Sequence, residues 1–463
     1  MKDHGTPTHD FASVTDFNNL YQSFTEARKG KRWKYSVCKY EANVLENLLF
    51  IQVMLQRHKY RLSPYNCFYV HEPKERLIMY NSFRDKIVQH CLCEQVLEPV
   101  LSKTFIYDNY ASQKGKGTHF GLDRLKSFMS AYYRKNGVEG WVLKCDVRKY
   151  FYRINHDVLK SQLRRLIKDR DVLWLLDMIV DSTEGPGIPI GNHTSQWFAI
   201  LYLSDMDHMI KERLGIKYYG RYMDDFYLIH EDRAYLQFCL EEIRRFLVPM
   251  GLELNQKTAI FPLSQGIDFL GFRTYLTDSG KVVRKVRRES KNRIRRKIKK
   301  FRHLVDEGRV DFDTVLQSYN SWTGHADHGN SYHLISEIDD LFFNLFREEM
   351  EGKPYGEISI RFARWKRRQV GEHKVQRTGD PVDRRHTGHV PGPKGPGDGT
   401  HDHPEMLRRE GAEQQQQGPP KLRKQPLFRF QRRQVAEQRA RVLVRRTARS
   451  RRPANGRELL ERL

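Results

Sequence analysis

The chain has 463 residues, 39% of them hydrophobic and 12% aromatic, enough for a real core and too many for one average domain. Its 82 Lys and Arg against 57 Asp and Glu leave a formal charge of +25, which favours a polyanionic partner, nucleic acid before an anionic membrane surface. No apolar run approaches the roughly 20 residues that span a bilayer, the first residues lack the apolar stretch of a secretory signal, and the six cysteines form no CxxC pair. A cytoplasmic protein without a membrane partner, zinc ribbon or disulfide framework is therefore expected.

The spacing of Leu20 and Phe24 predicts a short amphipathic helix over 18–27, followed by the basic run Arg28-Lys29-Gly30-Lys31-Arg32. Residues 40–57 read as a longer helix with Leu45, Leu48, Leu49 and Val53 on one face. Residues 69–80 suggest a hairpin around Glu72-Pro73-Lys74-Glu75, and 85–101 return to helical spacing. Trp141 to Asp146 is an apolar run ending in an acid, the pattern of a buried strand. Tyr218 to His230 is a similar run, interrupted by Asp224-Asp225. Helical segments around 156–179 and 195–213 lie between them, so the core is expected to be α+β. Lys285 to His303 is a strongly basic helical candidate that leads into further helices as far as Met350. Beyond about 371 the chain is Gly-, Pro-, Gln- and Arg-rich and reads as a tail that is disordered in isolation.

The chemistry is carried by Gly220-Arg221-Tyr222-Met223-Asp224-Asp225. Burying two adjacent carboxylates in an apolar segment is costly, and a hairpin that turns them towards a metal removes the conflict. An Asp-Asp pair alone also occurs in surface turns. It gains force from Lys144-Cys145-Asp146-Val147, where a second strand ends in an acid. Two-metal phosphoryl transfer needs carboxylates from separate segments converging on ions about 4 Å apart. His325, His328 and His333 lack the cysteine or glutamate partners of a zinc site and read as a polar helical segment.

The Asp146 segment, Tyr222-Met223-Asp224-Asp225, Gly251-Leu-Glu-Leu-Asn-Gln-Lys257 and Phe269-Leu-Gly-Phe272 occur in the order seen in reverse transcriptases, and residues 18–350 resemble that family. The resemblance implies a right-hand polymerase fold: fingers and an antiparallel palm over 17–280, a helical basic thumb over 281–352, an N-terminal tail over 1–16 and a low-complexity tail over 353–463. It implies that Asp146, Asp224 and Asp225, with the Val147 carbonyl, hold two magnesium ions, for which manganese can substitute. Phe151 stands where the family carries an aromatic against the sugar of the incoming dNTP, a position that favours this role over that of a core phenylalanine. Arg76 resembles the fingers residue that grips the triphosphate, with Lys74 and Arg84 beside it as either further contacts or solvated charges. Arg287, Arg288, Arg293, Arg295 and Arg296 would meet the phosphates of the template and primer. An ordinary solvated helix face is the plainer account of those five.

Gly187-Ile-Pro-Ile190-Gly191-Asn192-His-Thr-Ser195-Gln196 departs from the common pattern, which has Gln at 190 and Ser-Pro at 195 and 196. This variant, with Asn109-Tyr-Ala-Ser-Gln-Lys-Gly-Lys-Gly-Thr-His119 and Arg28–Arg32, resembles the reverse transcriptases of diversity-generating retroelements. Those enzymes copy a template-repeat RNA with errors at adenine, and work with a small basic accessory protein and flanking RNA. Ile190 offers shape where Gln would offer hydrogen bonds, each worth about 1–3 kcal/mol if left unmade. Reverse transcriptases of group II introns, retrons or defence systems, and a non-catalytic RNA-binding scaffold, remain the alternatives. Met223 stands where RNA-copying RNA polymerases usually have Gly.

Overall fold

In a computed structural model, residues 9–71, 75–351, 358 and 360–367 are described. The chain opens with α1 (Phe11–Thr15) and α2 (Phe17–Arg28), each capped by an aspartate side chain, Asp10 and Asp16. Phe11 and Val14 are buried, and the Phe11 amide donates to Asp169 at 2.8 Å, so the expected N-terminal tail over 1–16 contains a packed helix.

The single helix expected over 40–57 is two, α3 (Tyr35–Ala42) and α4 (Val44–Gln56), broken at Asn43. Leu48, Ile51 and Leu55 form the inward face of α4, whereas Leu45, Leu49 and Val53 are exposed. A helix apolar on nearly every side has no face that periodicity can single out, so the core face was misread. The hairpin follows as β1 (Asn66–Val70) and β2 (Arg76–Tyr80), antiparallel with Asn66 opposite Tyr80. Lys74 lies outside the described residues. Then come α5 (Phe83–Leu92), a π-helical turn over Cys93–Leu97, α6 (Glu98–Leu101) and the long α7 (Thr118–Asn136).

The central sheet is entirely antiparallel, with β3 (Trp141–Asp146), β4 (Tyr218–Tyr222), β5 (Asp225–His230) and β6 (Ala259–Pro262) in the order β4-β5-β3-β6. Between β3 and β4 run α8 (Tyr150–Arg153), α9 (His156–Leu166), α10 (Arg170–Val180), α11 (His193–Tyr202) and α12 (Ser204–His208), and α13 (Arg233–Leu247) follows β5. Cys145, Phe226, Leu228 and Leu143 bury one face of the sheet among these helices, while Val142, Tyr227 and Ile229 pack on the other face with α7. The alternation along each strand thus supplies both cores.

A second sheet joins β7 (Ile267–Phe269), β8 (Phe272–Leu276) and β9 (Val282–Val286). Lys285 belongs to β9 and the basic helix, α14, runs Arg288–Asp306, three residues later than its composition suggested. The pairing of β9 with β8 overrides the local helical preference there. The helices α15 (Phe312–Ala326), α16 (Tyr332–Leu345) and α17 (Arg347–Met350) close a separate core with α14. Ile358, Phe362 and Trp365 bury in that core, and Arg361 pairs with Asp339. The packed chain therefore continues past the expected boundary at 352; residues 368–463 of the expected tail lie outside the described residues.

Candidate active site

Two chain segments meet at one end of the central sheet. The β3–β5 register places Asp146 directly opposite Asp225, and the two-residue turn between β4 and β5 is Met223-Asp224. Met223 takes the left-handed conformation at φ 56°, unusual for a bulky side chain and held by its surroundings. The Val147 amide donates to the Asp224 carbonyl at 3.1 Å, tying the end of β3 to the turn. From the segment after α13, Asn255 donates to Asp146 twice, from its backbone amide to the carbonyl at 2.7 Å and from its side chain to the carboxylate at 3.0 Å.

Burial, and then the facing Asp146, push the Asp224 carboxyl above the ordinary carboxylate range; Arg76 and Lys144 pull it back only in part. Two acids held together in a partly dry site, with insufficient cationic charge beside them, suit a hard divalent cation taken by oxygen ligands. Asp225 behaves differently: its carboxylate is turned onto the Lys144 ammonium. Burial lowers Lys144 to about 8, with Asp146 and Asp224 among the groups that oppose the shift. Among the described residues no three carboxylate, imidazole or thiolate side chains already stand together as a metal site. The structure thus brings Asp146 and Asp224 together and keeps Asp225 on its lysine.

The other expected residues surround this centre. Arg76, at the start of β2, is close enough to Asp224 to act on its charge. The Met79 amide of β2 donates to the Ile190 carbonyl at 3.0 Å, and an added Cβ at Gly191 would collide with the Met79 carbonyl. Gly191 at φ 140° is therefore required by close backbone approach. Phe151 is half-buried, edge-on to Tyr150, and its carbonyl accepts from the Ile188 amide at 2.8 Å, so the α8 turn and the 187–191 loop are one unit. Val147 buries its side chain in the core. Arg84 stacks on the Tyr60 ring at 5.3 Å and pairs with Asp85.

Of the basic candidates, Arg287 precedes α14 and reaches far enough to affect Lys144, while Arg288, Arg293 and Arg296 are exposed along the helix. Arg295 is held by Glu337 of α16 at 2.6 Å.

Sequence reasoning missed the support beneath the turn. Arg221 is fully buried, paired through Nε and Nη2 with Asp207 at 2.7 and 2.6 Å, and donates from Nη1 to the Met223 carbonyl at 2.8 Å. Tyr219 and Asn109 also donate to Asp207, and the Tyr110 amide donates to the Arg221 carbonyl at 2.9 Å. An arginine within an apolar strand was a signal in its own right; its partner on α12 was not.

Residues 71–274 match the family described as "Reverse transcriptase (RNA-dependent DNA polymerase)". The chain carries a reverse-transcriptase domain. With its mixed helices and antiparallel sheets, the domain has the right-hand polymerase fold. Among curated proteins, the chain is 26% identical over 235 residues to Protein YkfC of Escherichia coli (strain K12), covering 42% of this chain and 61% of that protein. It is 25% identical over 156 residues to the mitochondrial Nuclear intron maturase 1 of Arabidopsis thaliana, covering 29% of this chain and 21% of the maturase. The chain thus spans less than two thirds of either relative. A solved structure that it resembles is apo telomerase from Candida tropicalis truncated from the C-terminal domain, at 18% identity and TM-score 0.38, covering 52% of this chain and 60% of the other.

Proposed function

We propose that the reverse-transcriptase domain is an active RNA-directed DNA polymerase that extends a nucleic-acid primer with dNTPs on an RNA template. The observation that carries this reading is the approach of Asp146, at the end of β3, to Asp224, in the β4–β5 turn, at one half-buried point inside that domain. In this reading residues 17–280 are fingers and palm, and the helices from 281 onwards are the thumb. Asp146, Asp224 and Asp225, with the Val147 carbonyl, would hold two magnesium ions, and manganese can replace them. Bound there, such ions lower the pKa of an attacking 3′-hydroxyl and steady the leaving pyrophosphate.

The chain's own residues do the rest. Asn255 and Arg221 fix the two acid-bearing segments. Arg76 lies beside the acids, where a triphosphate would need charge-assisted donors, and Lys74 is its proposed neighbour. Phe151 supplies the ring against which a deoxyribose packs and a 2′-hydroxyl clashes. Ile190 and Gly191, joined to β2 through Met79, would shape the nascent base pair. Arg287, Arg288, Arg293 and Arg296 would line the duplex phosphates, with Arg295 joining after release from Glu337.

Within that activity we propose the diversity-generating kind, which copies a template-repeat RNA with errors at adenine and works with a small basic accessory protein. Support comes from Ile190 and from Ser195-Gln196, whose Gln196 accepts from Ser112 at 2.7 Å, so two segments that carry the resemblance are in contact. The likeness to an intron maturase favours a second reading, a reverse transcriptase of the group II intron kind. A cytoplasmic location fits the free state of all six cysteines, and no described helix is long and apolar enough to cross a membrane.

Sequencing the cDNA made on an RNA containing all four bases separates these readings. Errors concentrated opposite adenine, and reduced by Ile190→Gln, are the expected result. Low and evenly spread errors would remove the diversity-generating assignment and leave the polymerase.

A further inference from the structure

Between α2 and α3 the chain makes a tight turn through Gly30, at φ 66°, with the Lys31 amide bonded to Arg28 and the Lys34 amide to Lys31. Glu41 engages both Arg28 and Arg32, so one carboxylate offsets one of their two charges and the three side chains brace the turn. Lys31, Lys34 and Lys86, the last at the start of α5, have no acidic partner among the described residues. They are close enough that burial, Lys31 and Lys34 together pull the Lys86 ammonium below its ordinary range. Three cations gathered in this way repel one another unless an anion lies among them.

Rings stand beside these cations. Trp33 is 71% and Tyr35 80% exposed, at either side of Lys34, whose ammonium lies 5.2 Å from the centre of the Trp33 ring. Lys86 sits over Tyr80 of β2 at 5.1 Å, and Tyr80 meets the exposed Phe68 of β1 edge-on. Exposed aromatics grouped this way mark a binding surface. The strip adjoins the centre: Lys31 acts on the stacked pair His90 and His193, and His193 opens α11 directly after Gly191 and Asn192.

We propose that this strip, running from Trp33 and Tyr35 across Lys31, Lys34 and Lys86 to Tyr80, binds single-stranded RNA. The rings stack on bases and the lysines take phosphates. Exposed rings that stack need bases whose faces are free, which a duplex does not offer. An alternation of ring and ammonium matches the alternation of base and phosphate along one strand. The choice of RNA rests on the polymerase reading. The strand would be the unpaired template ahead of the copied base.

The test measures binding of the full-length protein to a fluorescent 12-nucleotide RNA and to a blunt RNA–DNA duplex. Trp33→Ala with Tyr35→Ala is expected to weaken binding of the single strand about tenfold or more and to change duplex binding by no more than about twofold. Trp33→Phe with Tyr35→Phe should restore it, and charge reversal at Lys31, Lys34 and Lys86 should abolish it with a flatter salt dependence. Unchanged single-strand affinity in the alanine variant, or an equal loss on both ligands, overturns the proposal. If the alanine variant does not melt cooperatively, the charge-reversed variant decides by the same two ligands. Asp224→Asn is expected to bind the single strand like the wild type, and a wild-type protein that binds it but extends no primer would refute the polymerase reading and leave this surface standing.

Discussion

At the residue scale, the site depends on charge placed where it is expensive. Arg221 is fully buried, and burial works against its charge, but Asp207 holds the guanidinium well above its ordinary pKa. The pair serves geometry: one arm of the guanidinium carries the Met223 carbonyl, and so the left-handed turn that presents Asp224. Arg221→Met leaves Asp207 buried and unpaired and should destabilise the protein by about 3–5 kcal/mol in urea titration. Arg221→Lys should keep much of that stability yet lower kcat more than it raises the KM for dNTP, since lysine cannot span Asp207 and Met223 together. Equal activity of the lysine variant and the wild type would show that the turn holds itself. The three aspartates were legible in the sequence because acids at the ends of apolar runs contradict their surroundings. Asp207 was not, because an acid in the polar run Ser204-Asp205-Met206-Asp207-His208 looks like an ordinary surface position until the fold closes over it.

At the scale of elements, β2 and the 187–191 loop form one wall of the site through a single backbone hydrogen bond and a glycine with no room for a side chain. Gly191→Ala forces a Cβ against the Met79 carbonyl at a positive φ, so it should cost roughly 1–3 kcal/mol of stability. It should also raise the KM for dNTP, because β2 carries Arg76; steady-state kinetics against dNTP concentration reads this directly. An alanine variant with unchanged KM would detach the β2 hairpin from nucleotide binding. Most elements were readable from local pattern: a hairpin over 69–80, whose first strand begins three residues earlier at Asn66, the strand ending at Asp146 and the helices that follow it. The misreadings share a cause. The inward face of α4 and the start of α14 are decided by what packs against them, Leu48, Ile51 and Leu55 in one case and the pairing of β8 with β9 in the other.

At the scale of the whole molecule, stability should depend on pH in a defined direction. Burial lowers His90 to about 4, helped by its neighbour His193 and by Lys31 and Lys86 and opposed by Glu26. The unfolded chain binds a proton near the usual 6.5 that the folded chain refuses. Stability from this pair is therefore complete above about pH 6.5 and falls as pH drops towards 4. Melting temperatures measured across that window should decline, and His90→Gln should make the decline shallower; an identical slope in both proteins would contradict the burial of neutral His90. The basic surface that helps burial lower His90 is the one proposed to bind single-stranded RNA. Its charge was evident from composition, and its arrangement into a ringed strip required the turn at Gly30.

The central claim is that Asp146 and Asp224 converge to support DNA synthesis on RNA. Primer extension on an RNA template, with magnesium and dNTPs, tests it most directly when wild type and Asp224→Asn are compared. The account predicts DNA product from the wild type and a loss of at least about a hundredfold in the variant, with both proteins melting cooperatively. DNA product at equal rates from the two proteins would contradict it.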